Sequence, residues 1–219
     1  MTPRSSGTGF LLYNSASKGF SVIATAAHVV NEAHFWEEPI RVQNAATGKS
    51  TIVRVTNRAM LIEPDKDVAA VIFPTQDLDL PAEPLPLSSK GHFIKVGVEI
   101  GWLGFPAVTR ELCFFSGRVS SYNKGTERYL VDGVAINGVS GGPAFKPVGD
   151  DGIAVIGVLS AYIPNRATGD VLPGLAVVSD IAEFHAMVAS FRSFEDARLQ
   201  QTPAESAKIP QVASDQALE

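Results

Sequence analysis

Residues 138–143 read Gly-Val-Ser-Gly-Gly-Pro and place one serine, Ser140, among three glycines. A serine hydroxyl becomes a nucleophile only when a base accepts its proton, and the oxyanion formed on attack needs backbone N–H donors close by. Glycines beside the serine allow the tight turn and the close approach of backbone amides that this chemistry requires. The segment alone is compatible with a nucleophilic serine and equally with a glycine-rich hairpin turn.

The same six residues also satisfy the G-x-S-x-G pattern of the α/β-hydrolase nucleophile elbow. In that motif the serine lies between a strand and a helix, and its acid and histidine follow it in the chain. Pro143 and Pro147 follow Ser140 closely, so a helix at this point is disfavoured. The one histidine downstream is His185, which falls within a predicted C-terminal helix. The context therefore excludes the elbow.

Two stretches upstream supply the partners that a nucleophilic serine needs. Residues 25–28 read Thr-Ala-Ala-His and follow an apolar, strand-like run. Residues 67–69 read Asp-Val-Ala and open a second apolar run. His28, Asp67 and Ser140 thus occur in the order of base, acid and nucleophile that chymotrypsin has. Three such blocks in one order are a much more specific signal than any one of them.

With these blocks in that order, the chain resembles trypsin/chymotrypsin-type serine proteases, and most closely the disulfide-free protease domains of bacterial HtrA-type proteins. Residues 7–10, Gly-Thr-Gly-Phe, resemble the G-S-G-F opening of those domains. The three blocks quoted above resemble their T-A-x-H, D-x-A and G-N-S-G-G-P motifs. The resemblance runs from about Gly7 to Val188, nearly the whole of the chain that we expect to be ordered.

The resemblance implies a role for each of these residues. Ser140 would attack a peptide carbonyl, while His28 would accept its proton and pass it to the leaving amine. Asp67 would fix the imidazole tautomer and stabilise the imidazolium cation. The backbone N–H groups of Gly138 and Ser140 would form the oxyanion hole. Asp65 is the nearest rival for the acid, and Asp67 is favoured because it directly precedes the apolar strand, as the family's acid does.

The resemblance also places a primary specificity pocket made of uncharged residues. The pocket residues carried over are Val134, Ala135, Ser160, Ala161, Tyr162 and Gly174. Val134 lies six residues before Ser140, where a trypsin carries its acidic selector. Because a buried cation without a partner is costly, such a pocket implies cleavage after small or medium apolar side chains rather than after lysine or arginine.

Short apolar runs bounded by turn residues predict an all-β fold. With 19 glycines and 14 prolines, chain breakers recur too often for many long helices. Together with the resemblance, this pattern predicts two antiparallel, six-stranded-type β-barrels of the chymotrypsin-like class. The first barrel is expected to be shortened, because few residues precede Gly7. Both tryptophans, Trp36 and Trp102, are expected in the core.

A helix is predicted from Asp180 onward, where four apolar residues share one face: Ile181, Phe184, Val188 and Phe191. Asp180 and Glu183 are expected to cap it reciprocally. The chain then divides into an N-terminal lobe with the histidine and the acid (1–80) and a proline-rich connector (81–90). A C-terminal lobe with the serine and the helix (91–194) and a polar, flexible tail (195–219) follow.

Composition excludes several classes of function. The chain has 219 residues, of which 45% are hydrophobic and 19% charged, which is not the composition of a disordered protein. A net charge of −5 without a basic run argues against nucleic acid as a partner. Cys113 is the only cysteine, and the four histidines lack metal-ligand spacing, so no disulfide, metal or cofactor is expected.

The expected partner is a protein or peptide substrate, and the sequence identifies no regulatory protein. No apolar run is long enough to cross a membrane or to act as a signal peptide, so no membrane association is expected. If Met1 is the native start, a cytoplasmic location is expected.

Three functions stay compatible with these patterns. The first is a serine endopeptidase. The second is a catalytically silent binding module that keeps the triad-like residues on a protease fold with a collapsed oxyanion hole. The third is an esterase on the same fold, which differs in the leaving group. Sequence does not separate them, because the shape of an oxyanion hole is a property of the backbone.

Overall fold

The computed structural model describes residues 5–15, 19–75, 78–150, 152–164 and 171–205, with the side chains of 161–164, 171–173, 194–195 and 197–205 left out of the description. Two β lobes follow one another in the chain, and a helix comes after them. The N-terminal lobe holds β1 (Phe10–Ser15), β2 (Phe20–Thr25), α1 (Ala27–Phe35), β3 (Ile40–Gln43), β4 (Ser50–Val53), a 3₁₀ turn (Val55–Asn57), β5 (Ala59–Glu63) and β6 (Val68–Pro74). The C-terminal part holds β7 (Glu99–Gly104), β8 (Cys113–Asn123), β9 (Arg128–Asp132), β10 (Pro143–Val148), β11 (Gly152–Pro164), β12 (Val171–Asp180) and α2 (Ala182–Glu205).

The N-terminal lobe is an open version of the predicted barrel. Its strands form an antiparallel sheet in the order β1-β2-β6-β5 and a separate hairpin of β3 and β4. Strand β6 is almost wholly apolar because it lies inside this sheet, paired on both edges. Residues 5–9 take no part in the sheet. Part of the reason is that Thr8 donates its N–H to the carbonyl of Ser140 in the other lobe, at 2.8 Å.

The C-terminal lobe is a closed six-stranded barrel with the order β10-β11-β12-β9-β8-β7, which confirms the predicted chymotrypsin-like class for this half. Every neighbouring pair is antiparallel. Exposed and less exposed residues alternate along the first part of β8, because one face of that strand points into the barrel. The two largest fully buried side chains, Trp102 and Tyr129, fill the interior.

Helix α2 closes a core to which both lobes contribute. Phe10 and Val68 from the first lobe and Val158 from the second belong to one cluster with Phe184 of the helix. The predicted face is confirmed, since Ile181, Phe184 and Phe191 are buried and Val188 is partly buried. The helix runs to Glu205, so its last residues lie in the segment from 195 onward, for which the sequence predicts a flexible tail.

Of the two predicted capping interactions of α2, the one made by the Asp180 carboxylate is present, and the one from the Glu183 side chain is wrong. The Asp180 carboxylate does accept the N–H of Ala182, at 2.9 Å. The Asp180 N–H donates to the carbonyl of Glu127, also at 2.9 Å, and so is not left for the Glu183 side chain. Asp180 thus caps the helix with its carboxylate, and its N–H connects the helix to the turn between β8 and β9.

The expectation for Trp36 is also wrong. Helix α1 continues to Phe35, and it carries Phe35 and Trp36 away from the core. Their rings pack edge to face, with centroids 4.8 Å apart, and both are largely exposed. Trp102 lies in the core as expected.

Residues 78–98 connect the lobes and include the proline-rich segment. Residues 86–88 lie beside β11, where the Ser88 N–H donates to the Val155 carbonyl at 2.7 Å and the Val155 N–H donates to the Pro86 carbonyl at 2.8 Å. In the part of the chain that the structure describes, no helix is long and apolar enough to cross a membrane.

Replacing Phe184 tests the shared core. The side chain is 0% exposed, and its ring lies 6.1 Å from that of Phe10. We expect Phe184→Ala to lower the free energy of unfolding by about 3–5 kcal/mol, because it leaves a cavity between the lobes. Urea denaturation measures the loss. Phe35→Ala is the matched control, since Phe35 is 74% exposed and its removal should change stability by less than about 0.5 kcal/mol. Equal effects of the two changes would contradict the assignment.

Candidate active site

Strand pairing brings His28 and Asp67 together. Strand β2 ends at Thr25, which pairs with Ala69 near the start of the antiparallel strand β6. The residues that follow β2 therefore lie beside those that precede β6. His28 lies in the first turn of α1, directly after β2, and Asp67 immediately precedes β6.

The Asp67 carboxylate forms hydrogen bonds with Nδ1 of the His28 ring. The distances from Nδ1 are 2.9 Å to Oδ2 and 3.1 Å to Oδ1. The backbone N–H of His28 donates to Oδ1 as well, at 2.9 Å. A neutral imidazole that donates from Nδ1 has Nε2 as its acceptor. The His28 side chain is 48% exposed, so this acceptor nitrogen is open to a reacting group.

Burial and hydrogen bonding oppose one another at Asp67. Burial raises the pKa of the carboxyl, but the hydrogen bonds from His28 and Ser160 outweigh it, so that the pKa of Asp67 lies below its ordinary value. The Ser160 hydroxyl donates to Oδ2 at 2.5 Å. Ser160, which the resemblance places in the specificity pocket, thus contacts the acid, and no local signal in the sequence indicates this contact. The site thus holds Asp67 as a carboxylate.

The turn that carries Asp67 is fastened to the C-terminal lobe. Asp67 has a φ of +55°, in the left-handed region that aspartate tolerates better than most residues. The Ser179 hydroxyl donates to the carbonyl of Lys66 at 2.6 Å, and Lys66 pairs with Glu127. Arg128 donates to the backbone carbonyl of Asp65 at 3.0 Å. Of the two candidate acids, Asp67 therefore contacts the histidine, whereas Asp65 offers its carbonyl to the other lobe.

The loop of Ser140 lies between the two lobes. On one side Gly141 donates its N–H to Leu159 of β11, at 2.7 Å. On the other side a Cβ on Gly141 would lie 2.1 Å from both the Thr25 hydroxyl and the Thr8 carbonyl oxygen. Gly141 also has a φ of +88°. Glycine is therefore required at this position for space as well as for backbone conformation.

Each carbonyl of residues 137–140 accepts a hydrogen bond. The donors, in chain order, are the N–H of Ala107 (2.8 Å), the hydroxyl of Thr8 (2.8 Å), the N–H of Gly142 (3.0 Å) and the N–H of Thr8 (2.8 Å). A trans peptide points its carbonyl and its N–H in opposite directions, so fixing each carbonyl also fixes the direction of the N–H that follows it.

Two N–H groups of this loop make no hydrogen bond to any residue that the structure describes. They belong to Gly138 and Ser140, whereas Val139 donates to Ile136 at 3.2 Å. Gly138 has a φ of +94°, and a Cβ there would lie 2.3 Å from the carbonyl oxygen of Phe105. Gly138 and Ser140, the two predicted oxyanion donors, are thus the residues of this loop whose N–H groups have no acceptor among the described residues.

The nucleophile loop also lies close to the start of α1. A Cβ on Gly7 would lie 2.6 Å from the Val29 side chain and 2.8 Å from the Ser140 carbonyl oxygen, so the segment at Gly7 fits between the residue after His28 and the serine. The hydrogen bonds of the described residues do not include one between the Ser140 hydroxyl and the His28 ring. Ser140 itself is half-buried.

The predicted pocket residues before the serine are uncharged and lie beside Gly174. Ala135 is buried, whereas Val134 is 48% exposed. Gly133 donates its N–H to the carbonyl of Gly174 at 2.8 Å. Asp132 approaches Gly174, since its Oδ1 lies 3.9 Å from the position that a Cβ on Gly174 would take.

The other two predicted pocket residues follow Ser160 on β11. Ala161 pairs with Val177 and Tyr162 with Ala176 of β12, but the side chains of Ala161 and Tyr162 lie outside the described residues. Among the described side chains, no group of three His, Cys, Asp or Glu residues lies close enough to hold a metal ion.

The sequence and the fold are similar to those of known proteins. A family model described as a trypsin-like peptidase domain matches residues 7–158. Among solved structures, the serine endoprotease from Yersinia pestis is similar in fold, with a TM-score of 0.60 and 17% sequence identity over 87% of this chain and 58% of that one. This chain thus spans somewhat more than half the length of that structure. No curated protein matches the sequence significantly.

The lowered pKa of Asp67 predicts a pH-dependent contribution to stability. A carboxyl whose pKa is lower in the folded state stabilises the fold at pH above its ordinary value of about 3.9, and this contribution is lost as pH falls through the folded-state pKa. We expect Asp67→Asn to be less stable than the parent by about 1–3 kcal/mol at pH 7, and the difference to shrink below about pH 4.

Urea unfolding of both proteins between pH 7 and pH 3 measures this difference. Asp65→Asn is the control, because the Asp65 side chain is exposed and should give little difference at any pH. A gap between the parent and Asp67→Asn that widens on acidification would mean that burial raises the pKa of Asp67 more than its hydrogen bonds lower it.

Proposed function

We propose that this chain, which belongs to the family of trypsin-like peptidase domains, is a serine endopeptidase that cleaves peptide bonds with Ser140, His28 and Asp67. The observation that carries the proposal is the carboxylate of Asp67 on Nδ1 of a half-exposed histidine. This arrangement selects the tautomer whose Nε2 can accept a proton. The family supplies protein as the substrate class, and the exposed imidazole suits a reaction with a large substrate.

The proposed reaction begins when the Ser140 hydroxyl attacks the substrate carbonyl carbon and its proton passes to Nε2 of His28. The imidazolium is stabilised by the Asp67 carboxylate, which stays ionised. The carbonyl oxygen becomes an oxyanion and accepts the N–H groups of Gly138 and Ser140. Collapse breaks the C–N bond, and His28 gives its proton to the leaving amine. Water then repeats these steps on the acyl-enzyme and restores the serine.

The backbone of the nucleophile loop favours an active enzyme over a silent binding module. A collapsed oxyanion hole would have a carbonyl turned toward the point where the two N–H groups should converge. Here the four carbonyls of residues 137–140 are each held by a protein donor. Preorganised donors need no reorientation during the reaction, which is the main source of their catalytic effect.

Loss of either reacting side chain should abolish hydrolysis. We expect Ser140→Ala and His28→Ala to lower kcat for casein or a peptide amide by about 10⁴–10⁶-fold, and Ser140→Ala to leave the melting temperature nearly unchanged. Ser140→Ala should also lose labelling by a fluorophosphonate, which reacts with an activated serine. Undiminished hydrolysis by Ser140→Ala would exclude the mechanism. Comparing amide with ester substrates on the parent enzyme separates a peptidase from an esterase.

The two neighbouring aspartates provide the matched pair for the acid. Asp67→Asn should lower kcat by about 10⁴-fold, because an amide at this position favours the wrong imidazole tautomer. Asp65→Asn, with the same change two residues earlier, should leave kcat unchanged. The reverse result would move the acid to Asp65.

We expect cleavage after small or medium apolar side chains, since Val134 takes the position of the acidic selector of trypsins. Val, Ala, Leu and Met before the scissile bond should be favoured over Lys and Arg by at least tenfold, or about 1.4 kcal/mol. A peptide library measures the preference. Val134→Asp should raise cleavage after Lys and Arg. A preference of the parent enzyme for Lys or Arg would instead indicate that another acid, such as Asp132, reaches the pocket.

A further inference from the structure

Thr8 uses all its polar groups to join the N-terminal lobe to the nucleophile loop. The side chain is 4% exposed. Its N–H donates to the Ser140 carbonyl, and its own carbonyl accepts the Thr25 hydroxyl at 2.7 Å. Its hydroxyl donates to the Gly138 carbonyl at 2.8 Å and accepts the N–H of Phe105 at 3.0 Å. Thr8 thus contacts the carbonyls of both residues whose N–H groups are free.

The hydroxyl of Thr8 has its direction set by Phe105. Because the oxygen accepts the Phe105 N–H, its own proton is left to point toward Gly138. Gly138 lacks a Cβ and has a positive φ. Because glycine has the widest range of allowed backbone dihedral angles, the residue itself does little to fix the orientation of the two flanking peptides. The restraint comes from other segments of the chain. The Thr8 hydroxyl donates to the Gly138 carbonyl, and the Ala107 N–H donates to the carbonyl of Asn137.

We propose that Thr8 is a positioning residue for the oxyanion hole: its hydroxyl holds the Gly138 carbonyl and so fixes the Gly138–Val139 peptide, which joins the two peptides that carry the N–H groups of Gly138 and Ser140. This inference rests on the proposed function. Thr8 belongs to the same segment as the Gly-Thr-Gly-Phe opening, so that segment has a task in the reaction although it carries no reacting group. Any residue except proline would supply the backbone N–H that bonds to Ser140. Only threonine or serine would also supply the hydroxyl that bonds to Gly138 from this position.

The structure offers a matched set of variants. Thr8→Val keeps the shape and removes the hydroxyl, which leaves the Gly138 carbonyl and the Phe105 N–H without their partner. Thr8→Ser keeps the hydroxyl. Ser21→Ala is the control for loss of a buried hydroxyl elsewhere, since Ser21 is fully buried and bonds to Asn14 and Thr75 in the N-terminal lobe.

Steady-state kinetics on a peptide amide provide the first readout. We expect Thr8→Val to lower kcat by about 10–100-fold, less than the 10²–10³-fold that removal of an oxyanion donor costs, with KM within about twofold. A peptide boronate, whose tetrahedral adduct places an oxygen in the hole, should bind Thr8→Val weaker by a similar factor. Thr8→Ser should restore kcat to within about threefold of the parent, and Ser21→Ala should leave kcat unchanged.

Amide hydrogen exchange provides a second readout that needs no activity. Thr8→Val should speed exchange of the Val139 N–H by about tenfold, because the Gly138–Val139 peptide loses its hydroxyl donor, whereas Thr8→Ser and Ser21→Ala should not. Unchanged kcat and exchange in Thr8→Val would overturn the proposal. So would an equal loss of kcat in Thr8→Val and Thr8→Ser. A parent protein that neither hydrolyses nor reacts with a fluorophosphonate would overturn the proposed function instead, and the exchange rates would still decide the role of Thr8.

Discussion

The core that both lobes share around Phe184 is the constraint on which the site depends. His28 and Asp67 come from the N-terminal lobe and Ser140 from the C-terminal lobe, so neither lobe alone contains all three candidate catalytic residues. Apolar burial is non-directional, and it can hold two lobes together without setting their exact register. The register comes from directional bonds, such as the Ser160 hydroxyl on Asp67 and the Thr8 N–H on the Ser140 carbonyl.

Hydrogen bonds to its backbone carbonyls hold the nucleophile loop in its conformation. Gly138, Gly141 and Gly142 have no room for a Cβ, because a Cβ at each would lie 2.3 Å or less from a backbone carbonyl oxygen. Glycine also gives the chain the most conformational freedom, so a loop of this composition needs external restraints. The restraints come from segments distant in the chain, at Thr8 and Ala107, which makes the geometry of the loop a property of the whole assembly.

Much of the site could be predicted because the signals are local. Residue type and order identify His28, Asp67 and Ser140, and the structure brings the first two into contact. The apolar face of α2 follows directly from its periodicity. The exposure of Trp36 could not be predicted, since the length of α1 decides it. The role of Ser160 was missed for a related reason, because its partner is an acid in the other lobe.

The sequence by itself determined the class of fold, the order of the three candidate catalytic residues and the glycines that their loop requires, since each is encoded within a few neighbouring residues. The position of Asp67 before the apolar strand also favoured it over Asp65, and the structure shows that Asp67 contacts the histidine. Only the tertiary structure decided that Ser160 and Thr8 form hydrogen bonds to the acid and to the loop. These two contacts join residues 93 and 130 positions apart, and no local pattern of propensity or periodicity carries information over such a separation.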